Sequence, residues 1–409
     1  MRSSGFLFNV ARWRYLIYAA MSAFIIALKG FFYAHLLDEI QYASVNYYLL
    51  ILGVGVLFVG AGVMVRCHTQ LPLLVKNSSP SALVEFVTQV KWTGAFFWLP
   101  YCLVVVVIAQ AARLSPALQV LSLLQVLVFF LFTVDLMVVK SRLEFDAYAK
   151  QLFVRNATIA VAGFCAAYVS SDANWTMGAE VGCALLICGR GLVSFVLSAR
   201  LPSKAFFRAS IAFVPVTLVG AVLQFVDRLL ASSVLSAEQF SRFSYLSLIV
   251  LAGLSVQQLI NTRIITVLPA LCEEDPRAGF RYVLKASAAV GLVLIIALTL
   301  GMFALQSPWF AAPWFVPDYY LGLLFVLLAL LRSVDFFTSY LLVLNQKLRL
   351  LIVQSTVVVL FGMGAALLKF YFAQAGVFEF VVMLLCGFFM MLLGLFLSAW
   401  RVSRVGKNF

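Results

Sequence analysis

Apolar residues in this chain come in long runs, cut by short clusters of charged, Pro, Gly or Asn residues. The runs fall at about 15–35, 45–65, 92–112, 118–139, 154–171, 176–198, 210–232, 243–269, 284–306, 319–344, 350–371 and 377–400. Each is about twenty residues long, the length at which an α-helix crosses roughly 30 Å of hydrocarbon. None shows the ten-residue alternation of an outer-membrane barrel strand. The pattern predicts an all-α, polytopic membrane protein with twelve transmembrane helices.

Composition agrees. Of 409 residues, 64% are hydrophobic and only 11% charged, with a mean hydropathy of +1.05. Soluble domains carry about 25% charged residues, and so few charges cannot cover a soluble surface. Between the spans there is room only for short connections. The seven cysteines follow no CxxC or disulfide spacing, and most lie inside apolar runs as small hydrophobes. The N-terminal apolar run is too long for a signal-peptide core and contains Lys29, so it reads as a retained first helix.

Charge then orients the chain. Lys and Arg collect in alternate connections: Arg2, Arg12 and Arg14; Arg66, Lys76 and Lys91; Lys140, Arg142, Lys150 and Arg155; Arg200, Lys204 and Arg208; Arg277, Arg281 and Lys285; Lys347 and Arg349; Arg401, Arg404 and Lys407. The opposite connections hold only Arg113 and Arg242. The positive-inside rule puts both termini in the cytoplasm. The net charge of +13 is thus mainly a topology signal, spread over many loops, and it speaks against a nucleic-acid partner.

The halves also resemble each other. Leu37–Tyr47 lies over Leu235–Tyr245, Val134-Asp135 over Val334-Asp335, and Phe153–Ala157 over Ile352–Thr356, all at nearly one offset. This order predicts two six-helix bundles, residues 1–205 and 206–409. An even number of spans makes them parallel repeats about an axis along the membrane normal, an arrangement that places transport sites between repeats. A duplicated scaffold without transport is the alternative.

Six basic residues fall within spans: Lys29, Arg190, Arg228, Arg263, Arg332 and Lys369. The acidic residues there are Asp135, Asp227 and Asp335, with Glu180 and Glu379 near helix ends. A charge at the centre of a lipid-facing helix costs about 2.5–3.5 kcal/mol or more, so these residues face protein or water. Lys369 can snorkel outward. Arg263 is either an anchor at a helix end or a cavity group. Arg332 and Asp335, three residues apart, either neutralise each other on one helix face or serve a site. Lys29 and Asp227 correspond across the repeat, which suggests that they face each other, as a structural ion pair or across a cavity. The candidate substrate-binding residues are therefore Lys29, Arg190, Arg228, Arg263 and Arg332. Asp135, Asp227 and Asp335 are candidate counter-ions or coupling groups. A cationic interior favours an anionic cargo, with phosphate or pyrophosphate the natural match.

The stretch from Asp227-Arg228 through Ser236 to Tyr245 resembles the helix 7–8 region of the polysaccharide-biosynthesis proteins, the O-antigen flippases. Leu268-Pro269, Val316–Tyr320 and Leu344–Arg349 are similar to the same family, which belongs to the multidrug/oligosaccharidyl-lipid/polysaccharide (MOP) exporter superfamily. The resemblance implies a V-shaped pair of six-helix bundles in the bacterial inner membrane. It implies movement of undecaprenyl-pyrophosphate-linked oligosaccharide from the cytoplasmic to the periplasmic leaflet, with membrane lipids as surroundings. It admits the polymerase and chain-length proteins of the pathway as partners, and coupling to a proton or sodium gradient. Asp227 and Arg228 match the motif, and Lys29 matches a common basic position of helix 1. Relatives that flip peptidoglycan precursor usually have fourteen helices, against twelve here.

Enzyme chemistry finds little in this sequence. His35 and His68 stand apart from Cys and carboxylates at metal spacing, no Walker loop occurs, and no cofactor or metal is indicated. Trp309, Pro313, Trp314 and Pro317 read as an interfacial belt. Two rivals remain. A drug or organic-cation antiporter of the same superfamily calls for an acidic cavity. A membrane polysaccharide polymerase or ligase calls for a larger outer loop than the longest one here, about 307–318.

Overall fold

A computed structural model describes residues 10–76, 80–111, 114–198, 200–371 and 376–405. Among them are sixteen helices and no strand: α1 (Val10–Leu36), α2 (Glu39–Val59), α3 (Val63–Lys76), α4 (Pro80–Ala111), α5 (Pro116–Ser141), α6 (Phe145–Ser170), α7 (Ala173–Leu197), α8 (Lys204–Ile211), α9 (Val214–Val234), α10 (Ala237–Leu246), α11 (Leu248–Glu274), α12 (Pro276–Gln306), α13 (Tyr319–Ser333), α14 (Phe337–Val343), α15 (Lys347–Tyr371) and α16 (Val377–Val405). Among the described residues, every predicted apolar run falls mainly on helix. Eight spans among the described residues are long and apolar enough to cross a membrane, or nine if α10 and the first part of α11, bent by 41°, make one. This is a multi-pass helical membrane protein.

The polar breaks between runs start helices. Ser115 and Asp275 cap α5 and α12 from the residue before a proline, where the missing N–H does no harm. Asp172 accepts from the amides of Asn174 and Trp175 at the start of α7, and Asp318 from Leu321 at the start of α13. Asn345 takes a left-handed φ of 55° after α14, and the Gln346 amide then reaches back to Leu341 O at 2.8 Å. That is how the Leu344–Arg349 segment turns.

Four of the apolar runs do not form single straight helices: the seventh is interrupted between α8 and α9 and the eighth bends between α10 and α11. The second is interrupted between α2 and α3, where Gly62 has φ +72° and its backbone presses against the carbonyl of Ser210. A side chain fits neither that φ nor that space. The tenth breaks at residues 334–336, between α13 and α14.

The chain divides into two compact units. One comprises the chain up to Lys29 with Ile51–Leu218; the other comprises Gly30–Leu50 with Val219 onward. Both divide α1, α2 and α9 between them by sequence. In the first unit, α6 packs on α7 and α5 on α7, and Arg66 of α3 donates to Phe206 O of α8 at 2.9 Å while lying over that residue's ring. In the second, α11 packs on α12 and α13, and α15 on α16. The two segments matched in the sequence, around Glu39 and Ser236–Tyr245, meet within this second unit. Ser241 Oγ donates to Glu39 O at 2.6 Å, and the rings of Tyr47 and Phe240 stack with centroids 4.3 Å apart.

Candidate functional site

In the first unit, two lysines inside the helices are paired with carboxylates. Lys29 of α1 bonds both oxygens of Glu180 on α7, at 2.9 and 3.0 Å, with side chains 14% and 1% exposed. Lys91 of α4 meets Asp135 of α5 at 2.6 Å. That pair is lopsided: the lysine is 8% exposed and the carboxylate 43%. Asp135 opens onto a cavity of about 140 Å³ shared with Phe132, Cys188 and Gly191. Nearby, the Arg155 guanidinium of α6 lies over the rings of Phe129 and Phe132, 4.5 and 5.0 Å from their centroids, and donates to Asn156. Asn156 in turn donates to Ser22 Oγ at 2.7 Å.

The second unit centres on the break between α13 and α14. Arg332, in the last turn of α13, donates to Asp227 Oδ2 of α9 and, at 2.9 Å, to Gln224 O. Its guanidinium also lies 4.8 Å from the centroid of Phe388 on α16. Arg332 and Asp227 are only 7% and 5% exposed, and the other Asp227 oxygen is buried without a hydrogen-bond partner. Arg228, half-buried, sits in the field of Asp227 and Arg332. The carbonyls freed by the break are met by side chains. Ser287 Oγ donates to Val334 O and Gln257 Nε2 to Asp335 O, each at 2.9 Å. Irregular backbone at membrane depth requires such partners. Asp335 accepts from the Thr338 hydroxyl at 2.7 Å and its amide at 3.2 Å, holding the start of α14.

These contacts revise several sequence expectations. Arg332 and Asp335 do not neutralise each other: the helix ends between them, so the three-residue spacing no longer sets a common face, and Arg332 takes Asp227 instead. Lys29 and Asp227 bind other partners, Glu180 and Arg332. Lys91 and Arg155, assigned to cytoplasmic connections, lie well inside α4 and α6, because those helices begin earlier than their apolar runs. Glu180, placed near a helix end, is fully buried. Arg190 is exposed on α7, and Lys369 is exposed near the end of α15. The side chain of Arg263 lies outside the described residues, as do those of His68 and Arg113.

The motif tyrosine, Tyr245, is buried, and its hydroxyl lies 3.0 Å from both Leu305 O and Phe310 O and accepts from the Ala312 amide. It thereby pins the connection before α13. Trp314 in that connection is docked, donating to Ala34 O at 2.9 Å and packing against Tyr42 and Tyr245. Trp309, by contrast, is 90% exposed. The belt expected from sequence is thus a clamp at one tryptophan and an exposed ring at the other.

With this geometry established, the helical fold is similar to those of three solved membrane transport proteins. An inward-facing multidrug-resistance MATE family transporter of the MOP superfamily matches with a TM-score of 0.62 at 11% identity, covering 94% of this chain and 95% of that one. The lipid II flippase MurJ, in an inward closed conformation, matches with a TM-score of 0.67 at 13% identity, covering 94% and 87%. A MATE protein in complex with Br-NRF matches with a TM-score of 0.52 at 11% identity, covering 96% and 95%. No protein-family profile and no curated protein sequence matches the chain.

Proposed function

We propose that the protein flips a prenyl-pyrophosphate-linked oligosaccharide, an undecaprenyl-linked repeat unit for O-antigen or another surface polysaccharide, across the bacterial inner membrane. In this reading twelve spans form two six-helix repeats, 1–205 and 206–409, with both termini cytoplasmic, and alternate opening carries the headgroup through while the prenyl chain stays in lipid. A charged headgroup cannot cross hydrocarbon unaided, and the chain has no reason to leave it. The protein acts as a transporter, with membrane lipids around it and the polymerase and chain-length proteins of such a pathway as its partners.

The observation that carries this reading is the set of buried cations held by single carboxylates. In the second unit Arg332 is bound by Asp227, Arg228 stands next to that carboxylate in the chain and in its field, and Asp335 is engaged with Thr338. A pyrophosphate can take the place of such a carboxylate, since guanidinium groups bind both in the same forked geometry. Lys29, Arg190 and Arg263 complete the proposed cationic path. Protonation or sodium binding at Asp135, Asp227 or Asp335 would supply coupling by loosening the same contacts. The likeness to MurJ, a lipid II flippase, agrees with this cargo class.

A second reading has its own support. The half-exposed Asp135 carboxylate beside a small cavity suits an organic cation, and two of the matching structures are MATE proteins. Purified protein in liposomes separates the two. Flipping is expected to bring a prenyl-pyrophosphate oligosaccharide to the outer leaflet, where an added sugar-modifying enzyme reaches it. Transfer no faster than in protein-free liposomes, together with exchange of an organic cation for protons, would replace the flippase with the antiporter.

A further inference from the structure

Where α15 starts and α16 ends, the two helices enclose a cleft of about 450 Å³. Deeper along the pair the helices touch: at Gly394, an added methyl would stand 3.1 Å from Val353. From that contact outward, the walls change character in order. Ile352, Val353 and Ser398 line the inner part, and Arg349, Arg401 and Arg404 the outer part. The Arg404 guanidinium lies 3.8 Å from the centroid of the Trp400 ring, which holds it flat at the rim. None of the lining residues carries a carboxylate, and among the described residues no ion pair involves these three arginines. Arg349 also lies in the first turn of α15, where the helix dipole adds positive charge.

Three exposed like charges share one cleft with no acid in its lining, so the cleft attracts an anion. Its graded walls specify what kind. A free phosphate would meet only the outer half, whereas an amphiphile fills both, with a phosphate among the arginines and an acyl chain against Ile352 and Val353. Basic clefts between membrane helices are suited to anionic headgroups. We propose that this cleft is a binding site for an anionic phospholipid from the leaflet at the Lys/Arg-rich end of the helices. It goes beyond the transport reading, because it lies within the last helix pair and uses none of the buried ion pairs.

Native mass spectrometry of the full chain, titrated with phosphatidylglycerol and separately with phosphatidylcholine, tests it. The wild type is expected to retain one phosphatidylglycerol in preference to phosphatidylcholine, and excess inorganic phosphate should not displace it. The combined Arg349→Gln, Arg401→Gln and Arg404→Gln variant should lose affinity on the order of a hundredfold, and Arg401→Gln alone about fivefold. The single variant decides the matter if the triple one does not fold. Arg277→Gln with Arg281→Gln, basic positions outside the cleft, should titrate as wild type. Unchanged binding in Arg401→Gln, equal retention of phosphatidylcholine, or displacement by inorganic phosphate would each overturn the lipid site, the last in favour of a free-phosphate site.

Discussion

Replacing Arg332 by Gln removes the partner of a carboxylate that is 5% exposed and already has one oxygen without a hydrogen bond. Breaking a buried ion pair from one side typically destabilises by about 3–5 kcal/mol, because the remaining charge stays desolvated, whereas replacing both members by apolar residues is often near neutral. The guanidinium also supports Gln224 O and lies over Phe388, so part of the loss comes from those contacts and is common to any Arg332 variant. Arg332→Met and Asp227→Leu should therefore each lower stability strongly. The double variant should recover most of the loss, with a coupling of at least about 2 kcal/mol in the double-mutant cycle. Thermal unfolding in detergent, followed by the reaction of a thiol dye with buried Cys272 in a background where the other six cysteines are replaced by Ser, reports on this unit. A double variant as unstable as the sum of the two singles would refute the pairing and with it the picture of a cation held by one carboxylate.

Three further outcomes follow from particular contacts. Exchanging the charges in Lys29→Glu with Glu180→Lys should restore thermal stability relative to either single change while leaving transport impaired; full transport in the exchanged protein would reduce Lys29 to a structural role. A methyl in Gly387→Ala overlaps the buried ring of Phe361 between α15 and α16 and should destabilise by about 1–3 kcal/mol, while Gly362→Ala, with open space around it, should show no loss in the same melting assay. Tyr245→Phe strands the buried Ala312 amide, a loss of about 1–3 kcal/mol, and hydrogen exchange should rise over residues 305–318 ahead of any global change.

Helix placement was legible because a membrane helix is written locally, in consecutive apolar residues. Each of the twelve runs found helix, and Asp172, Asp275 and Asp318 begin helices where the polar breaks put them. What escaped was decided at a distance. The break after Ser333 lies inside an apolar run, and it is tolerated because Ser287 and Gln257, from other helices, meet the freed carbonyls. Pairings had the same difficulty: Lys29 and Glu180 are 151 positions apart, and Asp227 and Arg332 are 105 apart. The near spacing of Arg332 and Asp335 misled once the helix was interrupted, and the repeat correspondence of Lys29 and Asp227 did not predict their partners, Glu180 and Arg332. Lys91 and Arg155 were hidden by helices that extend well before their apolar segments. The charges within the spans could thus be named from sequence, whereas their partners needed the fold.

The most direct measurement is made in cells from which the protein has been depleted. Lipid-linked oligosaccharide in the inner membrane is quantified, and its leaflet is read by access to an externally added sugar-modifying enzyme. Flipping predicts that the intermediate accumulates out of the enzyme's reach while surface polysaccharide is lost. Intermediate that remains accessible, with normal surface polysaccharide and new sensitivity to cationic drugs, would contradict it.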